Sequence, residues 1–467
     1  MESPAKEQPR LSVPVTAKGL RVSDPLTRER TDPPPAGLPG PDRVGAGGVR
    51  SNTIVASAAS LVSGLLNAGM LAYSARQGQT GEIAAYSVMT AALTWVAILI
   101  MGGSSLLYVS GNDDERRSVR SQRLLLAVPA MVVATLLIAG AYAGRGYGTA
   151  ALISAGGVMI LNSLAELRFS DLVRQMRFMA ASAAMTTTRL LAMLLLIAGV
   201  PLTIALAVGA AAYLLTTEAL ACRGRSGARP MWSGLSLPAA RRAFRLNRRL
   251  FTYSLADAFT GRASTIALSL VAGPHVVGCF GALISIYQAL IAVVFSGLRV
   301  PMAIRTRRRH NLGPTEAVSR DGEVISIGAA TLIAAVVIVS APWLATSVLG
   351  LLIPASATWL QLLALALPFT TVNRAFALNR IGDGNYRAAT RVAVSIAVVV
   401  TGGLLVQAMA LGPTGAAATT CVAEAAVAGV LVALAAFRWY RRGKANASQT
   451  RAAGQERDRP RPHALGR

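Results

Sequence analysis

The chain has 467 residues, of which 53% are hydrophobic and only 14% are charged, and its formal net charge is +25. A soluble protein of this length is normally about a quarter charged, so the composition excludes an ordinary soluble enzyme or binding domain. The three cysteines are far apart in the sequence, which excludes a disulfide framework and a cysteine-based metal site.

Apolar segments recur along most of the chain. Residues 1–50 are rich in Arg and Pro and hold little that could form a core, so we expect a disordered cytoplasmic tail. Beyond them, apolar runs near the ~20 residues that a bilayer-spanning helix requires predict an all-α polytopic membrane protein. The twelve predicted spans are 52–74, 84–108, 123–143, 148–168, 180–199, 202–221, 251–272, 276–300, 324–347, 355–378, 388–408 and 414–437. Residues 441–467 are again polar and basic, and we expect a second disordered cytoplasmic tail.

Arginines alternate between the connections of these spans. They lie before the first span and after every second span, whereas the other six connections contain only Arg76 and Arg145. Because positive charge marks the cytoplasmic side, we expect a multi-pass protein of the cell membrane with both termini in the cytoplasm. The net charge is then a topology signal, and no nucleic-acid partner is predicted.

The segment LPAARRAFRLNRRLF begins at Leu237, between the sixth and seventh spans. Its predicted apolar face contains Ala240, Ala243, Phe244, Leu250 and Phe251, with Asn247 among them. The five arginines Arg241, Arg242, Arg245, Arg248 and Arg249 lie opposite. This pattern predicts an amphipathic helix on the inner leaflet, within a linker at 223–250 that joins a bundle at 51–222 to a bundle at 251–440.

The two halves of the chain are similar in pattern. NAGMLAYSARQGQTGEIAAYSVMTAAL begins at Asn67, and GRASTIALSLVAGPHVVGCFGALISIYQAL begins at Gly261. Aligning them places Ala84 on Gly278 and Tyr86 on Phe280. Each half has six spans and begins inside, which predicts parallel repeats related by an axis along the membrane normal.

The paired patterns SARQGQTGEIAAYSV and SLVAGPHVVGCFGAL resemble the turns after spans one and seven of bacterial polysaccharide flippases. These flippases belong to the multidrug, oligosaccharidyl-lipid and polysaccharide exporter superfamily. The resemblance covers roughly residues 51 to 440 and departs from the family pattern at Ala84, His275 and Val276. It implies two six-helix bundles around a central cavity lined by spans one, two, seven and eight. It also implies that the protein exports a polyprenyl-pyrophosphate-linked oligosaccharide for surface polysaccharide synthesis, with a polysaccharide polymerase and glycosyltransferases as candidate partners.

Two charges interrupt the seventh span. At ~1.5 Å per residue, Asp257 lies roughly 9 Å and Arg262 roughly 16 Å into it. A guanidinium in a membrane cavity can bind phosphate oxygens with a forked pair of hydrogen bonds, so Arg262 is the leading candidate contact for a pyrophosphate. Asp257 is either the gate partner of an arginine or a protonation site that couples export to an ion gradient, and the sequence leaves both open.

Five further residues are candidate sugar contacts, because polar groups can hold hydroxyls and an indole can stack on a sugar ring. Packing between helices explains each of them equally well. They are Asn67, Thr94, Trp95, Tyr287 and Gln288.

Four other charges within the spans are predicted to have a structural or a coupling role: Arg189, Glu218, Arg374 and Glu424. The structural interpretation pairs Arg189 with Glu166 or Glu218, and Arg374 with Glu424. The resemblance keeps Arg189 and Glu424 away from the central cavity.

No catalytic, metal or cofactor site is predicted. The sequence contains no GxxxxGKS/T loop and no GxSxG motif, and its three histidines lie in loops or the tail. GNDDERR, from Gly111, is interpreted as a helix-capping turn. A drug or cation exporter with an acidic cavity and a lipid II flippase remain alternatives. A membrane enzyme of glycan assembly is a further alternative, which the repeat and the short outer loops disfavour.

Overall fold

The structure, a computed structural model, describes residues 62–102, 108, 113–174, 177–223, 231–311, 316–351, 353–382 and 386–457. Within these residues the regular structure is entirely helical. The first six helices are α1 (62–76), α2 (Thr80–Met101), α3 (Asp113–Ala143), α4 (Thr149–Arg174), α5 (Phe178–Ile197) and α6 (Leu202–Cys222). They are followed by α7 (Leu237–Val271), α8 (Pro274–Asn311), α9 (Glu316–Trp343, continued by a π-helical turn at Leu344–Val348) and α10 (Ser356–Gly382). The last helical segment, Tyr386–Arg457, is broken at Gly412 into α11 and α12.

The outer surface of these helices is apolar. Leu137 is 68% exposed, Val339 is 82% exposed and Val422 is 62% exposed. Eight helices of the described residues are long and apolar enough to cross a membrane. Large apolar side chains so freely exposed need lipid around them, which confirms the prediction of an all-α polytopic membrane fold.

Local sequence explains two irregularities in the helices. Pro342 lies inside α9, and the helix widens into the π-helical turn at Leu344–Val348 directly after it. Proline lacks the N–H that the regular ladder needs, so the hydrogen bonds rearrange there. Gly412, with φ 58°, ends α11 in a left-handed conformation that glycine adopts without strain, and Pro413 then starts α12.

The helices form two bundles that repeat one another. In the first bundle, α4 packs against α2, α3, α5 and α6. In the second, α10 packs against α8, α9 and the α11–α12 pair. Raising each helix number by six converts the first set of contacts into the second, which confirms the internal repeat.

Helix α2 carries much of the contact between the two bundles. It packs against both α7 and α8. At the predicted outer end, Thr80 Oγ1 and His275 Nδ1 form a hydrogen bond of 3.1 Å. A Cβ added at Gly278 would overlap the carbonyl oxygen of Thr80, and one added at Gly281 would overlap Ser87 Oγ. These two glycines therefore permit backbone contact between α2 and α8, which closes this end of the molecule.

We predict that Gly278→Ala opens this contact, because the added methyl cannot fit beside the Thr80 carbonyl. Overpacking costs about 1–3 kcal/mol, and 1.4 kcal/mol corresponds to a factor of ten. The rate at which a short thiol reagent cross-links the Thr80→Cys/His275→Cys pair should fall about tenfold, measured after Cys222, Cys279 and Cys421 are replaced by alanine. Gly140→Ala is the matched control, since its Cβ would meet no atom within 4 Å. An unchanged rate in Gly278→Ala would contradict the prediction.

The two predicted tails and the predicted linker are compared with the structure in turn. The tail at 1–50 lies outside them, as do residues 458–467. In the described part of the C-terminal tail, α12 continues to Arg457, where alanines, arginines and glutamines favour a helix. Helix α7 runs without interruption through the predicted linker boundary at residue 250.

Candidate functional site

A cavity of about 320 Å³ lies between the two bundles. All four helices implied by the family resemblance contribute to its lining, and α5 contributes as well. Its lining residues are Ser63, Gly64, Asn67, Tyr86, Ser87, Thr90, Met185, Arg189, Arg262, Thr265, Ile284, Ser285, Gln288, Ala289 and Ala292. The central cavity predicted from the sequence is therefore present.

The central cavity is basic. Arg262 of α7 and Arg189 of α5 line it, and its described lining residues include no aspartate or glutamate. Arg189 Nη1 donates to Asn67 Oδ1 over 3.3 Å, which places the guanidinium beside α1. Among the described residues, neither arginine forms an ion pair with a carboxylate. Two guanidinium groups that share a recess in a low-dielectric region repel one another, and a bound anion would relieve that repulsion.

A second cavity, of about 40 Å³, lies within the C-terminal bundle. Arg374 Nη2 lies 3.0 Å from Asp257 Oδ1, so this ion pair joins α10 to α7. Asn373 Nδ2 donates to Glu424 Oε2 over 2.6 Å, and this bond joins α10 to α12. The cavity is therefore lined by one guanidinium, two carboxylates and several hydroxyl groups.

We predict that Asp257→Asn lowers the free energy of unfolding by about 1–2 kcal/mol, because Arg374 loses its carboxylate partner in a partly buried position. The two side chains are 22% and 40% exposed, so the cost is smaller than for a fully buried pair. Denaturant unfolding in micelles measures it. The exchange Asp257→Arg/Arg374→Asp should recover part of the loss. Asp113→Asn is the control, because Asp113 pairs with Arg116 but is 83% exposed. Equal effects of Asp257→Asn and Asp113→Asn would contradict the prediction.

Single layers of side chains separate the central cavity from its neighbours. Ile284 and Gln288 of α8 line both the central cavity and the C-terminal cavity. Met185 and Arg189 of α5 line both the central cavity and a third cavity of about 60 Å³ inside the N-terminal bundle. A side-chain rearrangement in either inner cavity would therefore move residues that also line the central cavity.

Comparison with known proteins finds solved structures with a similar fold at low sequence identity. No family model matches the sequence, and no curated protein matches it. The lipid II flippase MurJ, in an inward closed conformation, has a TM-score of 0.63 at 14% identity over 80% of this chain and 86% of that one. The MATE multidrug transporter DinF-BH has a TM-score of 0.58 at 16% identity over 83% and 94%. An inward-facing multidrug resistance MATE family transporter of the MOP superfamily has a TM-score of 0.52 at 15% identity over 86% and 96%.

The chain has the fold of these transporters. One of them is named as a member of the MOP superfamily, so the fold that the sequence resemblance implied is the fold observed. The matched proteins are named as a flippase and as multidrug transporters. At these identities the likeness establishes the fold alone, and the substrate has to be argued from the chemistry of the cavity.

The predicted contact residues fall into three groups: those that line the central cavity, those that line the C-terminal cavity, and those that line neither. Arg262, Asn67 and Gln288 line the central cavity, and Gln288 shares the second cavity with Asp257 and Tyr287. Tyr287 is bonded there to Thr370 over 2.8 Å between the two side-chain oxygens.

Thr94 and Trp95 lie outside the residues that line the central cavity. Thr94 Oγ1 donates to the Thr90 carbonyl over 2.6 Å, and Trp95 Nε1 donates to the Ala258 carbonyl over 3.3 Å. The second bond joins α2 to α7. Whether any of the predicted residues contacts a substrate remains a prediction.

Arg189 does not form the ion pair with Glu166 or Glu218 that the structural interpretation predicted. Neither expected ion pair forms, because Arg123 lies 3.0 Å from Glu166 and Arg168 takes Glu218 as its partner. Helix α5 instead directs Arg189 at the central cavity. Arg189 was not among the predicted substrate contacts, although a charge in the middle of a predicted span was the signal that could have identified it.

A buried network of charges occupies the predicted cytoplasmic end of the N-terminal bundle. Arg168 of α4 is 2% exposed and donates to both Glu218 oxygens and to Asp171, with Nη1 lying 3.0 Å from Asp171 Oδ2. Arg116 and Tyr108 also donate to Asp171. The network joins the ends of α3, α4 and α6.

The acidic run after Gly111 begins a helix. Asp113 opens α3 and lies 3.2 Å from Arg116 of the next turn, which agrees with a helix-start role. In the part of the chain that the structure describes, no group of three or more His, Cys, Asp or Glu side chains could hold a metal ion.

Proposed function

We propose that the protein is a secondary transporter that moves a polyprenyl-pyrophosphate-linked oligosaccharide across the cell membrane for surface polysaccharide synthesis. The observation that carries the proposal is the charge of the central cavity, which places Arg189 and Arg262 at one recess without a carboxylate among its described lining residues. A pyrophosphate supplies the missing negative charge.

The chemistry of the two arginines fits a diphosphate group. A guanidinium is planar and binds two phosphate oxygens at once, and it stays charged in a poorly hydrated site. Asn67 and Gln288, with the hydroxyl groups of Ser63 and Ser285, line the same cavity and can bond sugar hydroxyls. The polyprenyl chain is apolar and remains in the bilayer while the polar head group crosses.

The two-bundle fold supports alternating access. Contacts between α2 and α8 close the predicted outer end, and those between α2 and α7 lie toward the other end. In this mechanism the bundles rock about the cavity, so that these two sets of contacts break in turn.

Lipid II is a substrate of the same chemical class, and the MurJ flippase shares the fold. A multidrug or cation exporter is the second candidate. The MATE transporters share the fold too, and the C-terminal cavity contains Asp257 and Glu424. The absence of a carboxylate from the described lining of the central cavity favours an anionic substrate over a cationic one.

The test is a transport assay in liposomes with three fluorescent substrates. These are a polyprenyl-pyrophosphate-linked oligosaccharide, labelled lipid II and a cationic dye. We expect the protein to move the first across the bilayer chemically unchanged, and inorganic pyrophosphate to compete. Movement of the dye alone would establish the multidrug alternative, a preference for lipid II would establish the peptidoglycan role, and conversion of the saccharide would indicate an enzyme.

A further inference from the structure

The first turns of α7 and the loop before them carry an exposed basic and apolar surface, here called the α7 surface. It consists of Trp232, Leu237, Arg241, Arg242, Phe244 and Arg245, all of which are exposed. Trp232 is 62% exposed and Phe244 is 51% exposed. Such large apolar side chains beside three guanidinium groups are not explained by the transport cavity.

The opposite face of this segment is buried in the protein. Ala240 and Ala243 are 0% exposed and Asn247 is 2% exposed. Ala243 packs in a cluster with Val119 of α3 and Leu167 of α4. The predicted apolar face therefore packs against the bundle, and Phe244, which was assigned to it, lies outside. An alanine-lined face allows close helix contact.

The segment crosses α3 at Ser121 and Gln122. The Ser236 N–H donates to Ser121 Oγ over 3.3 Å, and Asn247 Nδ2 donates to Gln122 Oε1 over 3.0 Å. Ser236 and Asn247 lie roughly 16 Å apart along a helix, yet their partners are adjacent residues. A helix parallel to α3 would place the two contacts many residues apart on α3.

The crossing point is where the sequence of α3 changes from polar to apolar. The polar first part of α3, Asp113–Gln122, ends there, and an apolar part that begins with the π-helical turn at Arg123–Ala127 follows. The segment thus lies at the depth where lipid head groups meet the hydrocarbon.

We propose that the α7 surface binds anionic phospholipid. Leu237, Phe244 and Trp232 enter the acyl boundary, and the three arginines bind the phosphate groups, as in other basic amphipathic helices. The bound lipid holds the base of α7, the helix that carries Arg262 into the central cavity.

Quenching of tryptophan fluorescence tests this inference on the full chain in lipid nanodiscs. The Trp232 signal is the difference between the parent protein and Trp232→Phe. Brominated phosphatidylglycerol or brominated phosphatidylcholine is titrated into unlabelled phosphatidylcholine. We expect half-maximal quenching at a mole fraction of brominated phosphatidylglycerol about fivefold lower than that of brominated phosphatidylcholine. This factor corresponds to the attraction of about one arginine to an anionic surface.

Charge removal separates specific binding from simple proximity to lipid. Arg241→Gln/Arg242→Gln/Arg245→Gln should make the two titrations coincide. Arg223→Gln/Arg387→Gln/Arg391→Gln is the matched control, because it removes three exposed arginines elsewhere on the chain and should preserve the difference. Equal quenching by the two lipids in the parent protein, or no quenching of the Trp232 signal, would overturn the proposal.

Discussion

Replacing Arg262 with alanine is expected to reduce transport of the lipid-linked saccharide about ten- to a hundredfold while the protein still inserts and folds. The forked hydrogen bonds of a guanidinium to phosphate are worth about 1.5–3 kcal/mol, and 1.4 kcal/mol is a factor of ten. Transport in liposomes measures the effect, and surface polysaccharide in cells provides the second readout. Normal polymer in cells that carry only this variant would refute the assignment of the site.

Two further substitutions distinguish a substrate contact from a structural role. Arg262→Lys keeps the charge but loses the fork, so transport should recover only in part. Arg262→Met removes a charge that has no carboxylate partner among the described residues, so the empty protein should be no less stable than the parent. Pyrophosphate should protect the parent protein against unfolding, and this protection should disappear in Arg262→Met. Arg387→Ala, at an exposed position, is the control and should change neither property.

Replacing Arg168 with methionine is expected to cause the largest loss of stability, about 3 kcal/mol in the free energy of unfolding. The change removes the guanidinium that pairs with Glu218 and one of the donors to Asp171, which keeps Arg116 and Tyr108. Arg168 is 2% exposed, and removing one partner of a buried pair is costly. Denaturant unfolding followed by circular dichroism measures it.

The double variant Arg168→Met/Glu218→Met provides the internal check. Replacing both partners of a buried ion pair with apolar residues is often close to neutral, so the double variant should be more stable than Arg168→Met. Arg223→Met, at an exposed position after α6, should have little effect. If the double variant were less stable than Arg168→Met, the network would not act as an ion-pair cluster.

The patterns along the chain were sufficient to predict the architecture. Segment length and apolar content predict an all-α membrane protein, and the alignment of Ala84 on Gly278 reveals the repeat that the helix contacts confirm. The stretch from Phe251, with Arg262 inside an apolar run, was enough to propose a basic site, since a buried charge requires a cavity or a partner.

Tertiary structure decided which side chains meet. Spacing shows that Asp257, Arg189 and Trp95 share spans with apolar residues, but each helix could be rotated about its axis without changing its hydropathy. Packing of the bundles sets that rotation. It directs Asp257 to Arg374 in the C-terminal cavity, Arg189 to the central cavity and Trp95 to the α7 backbone. The sequence by itself determined that helices fill a bilayer in two matching sets, because burial of apolar length is a local property. The composition of each cavity depends on contacts between distant segments, so only the folded structure decided it.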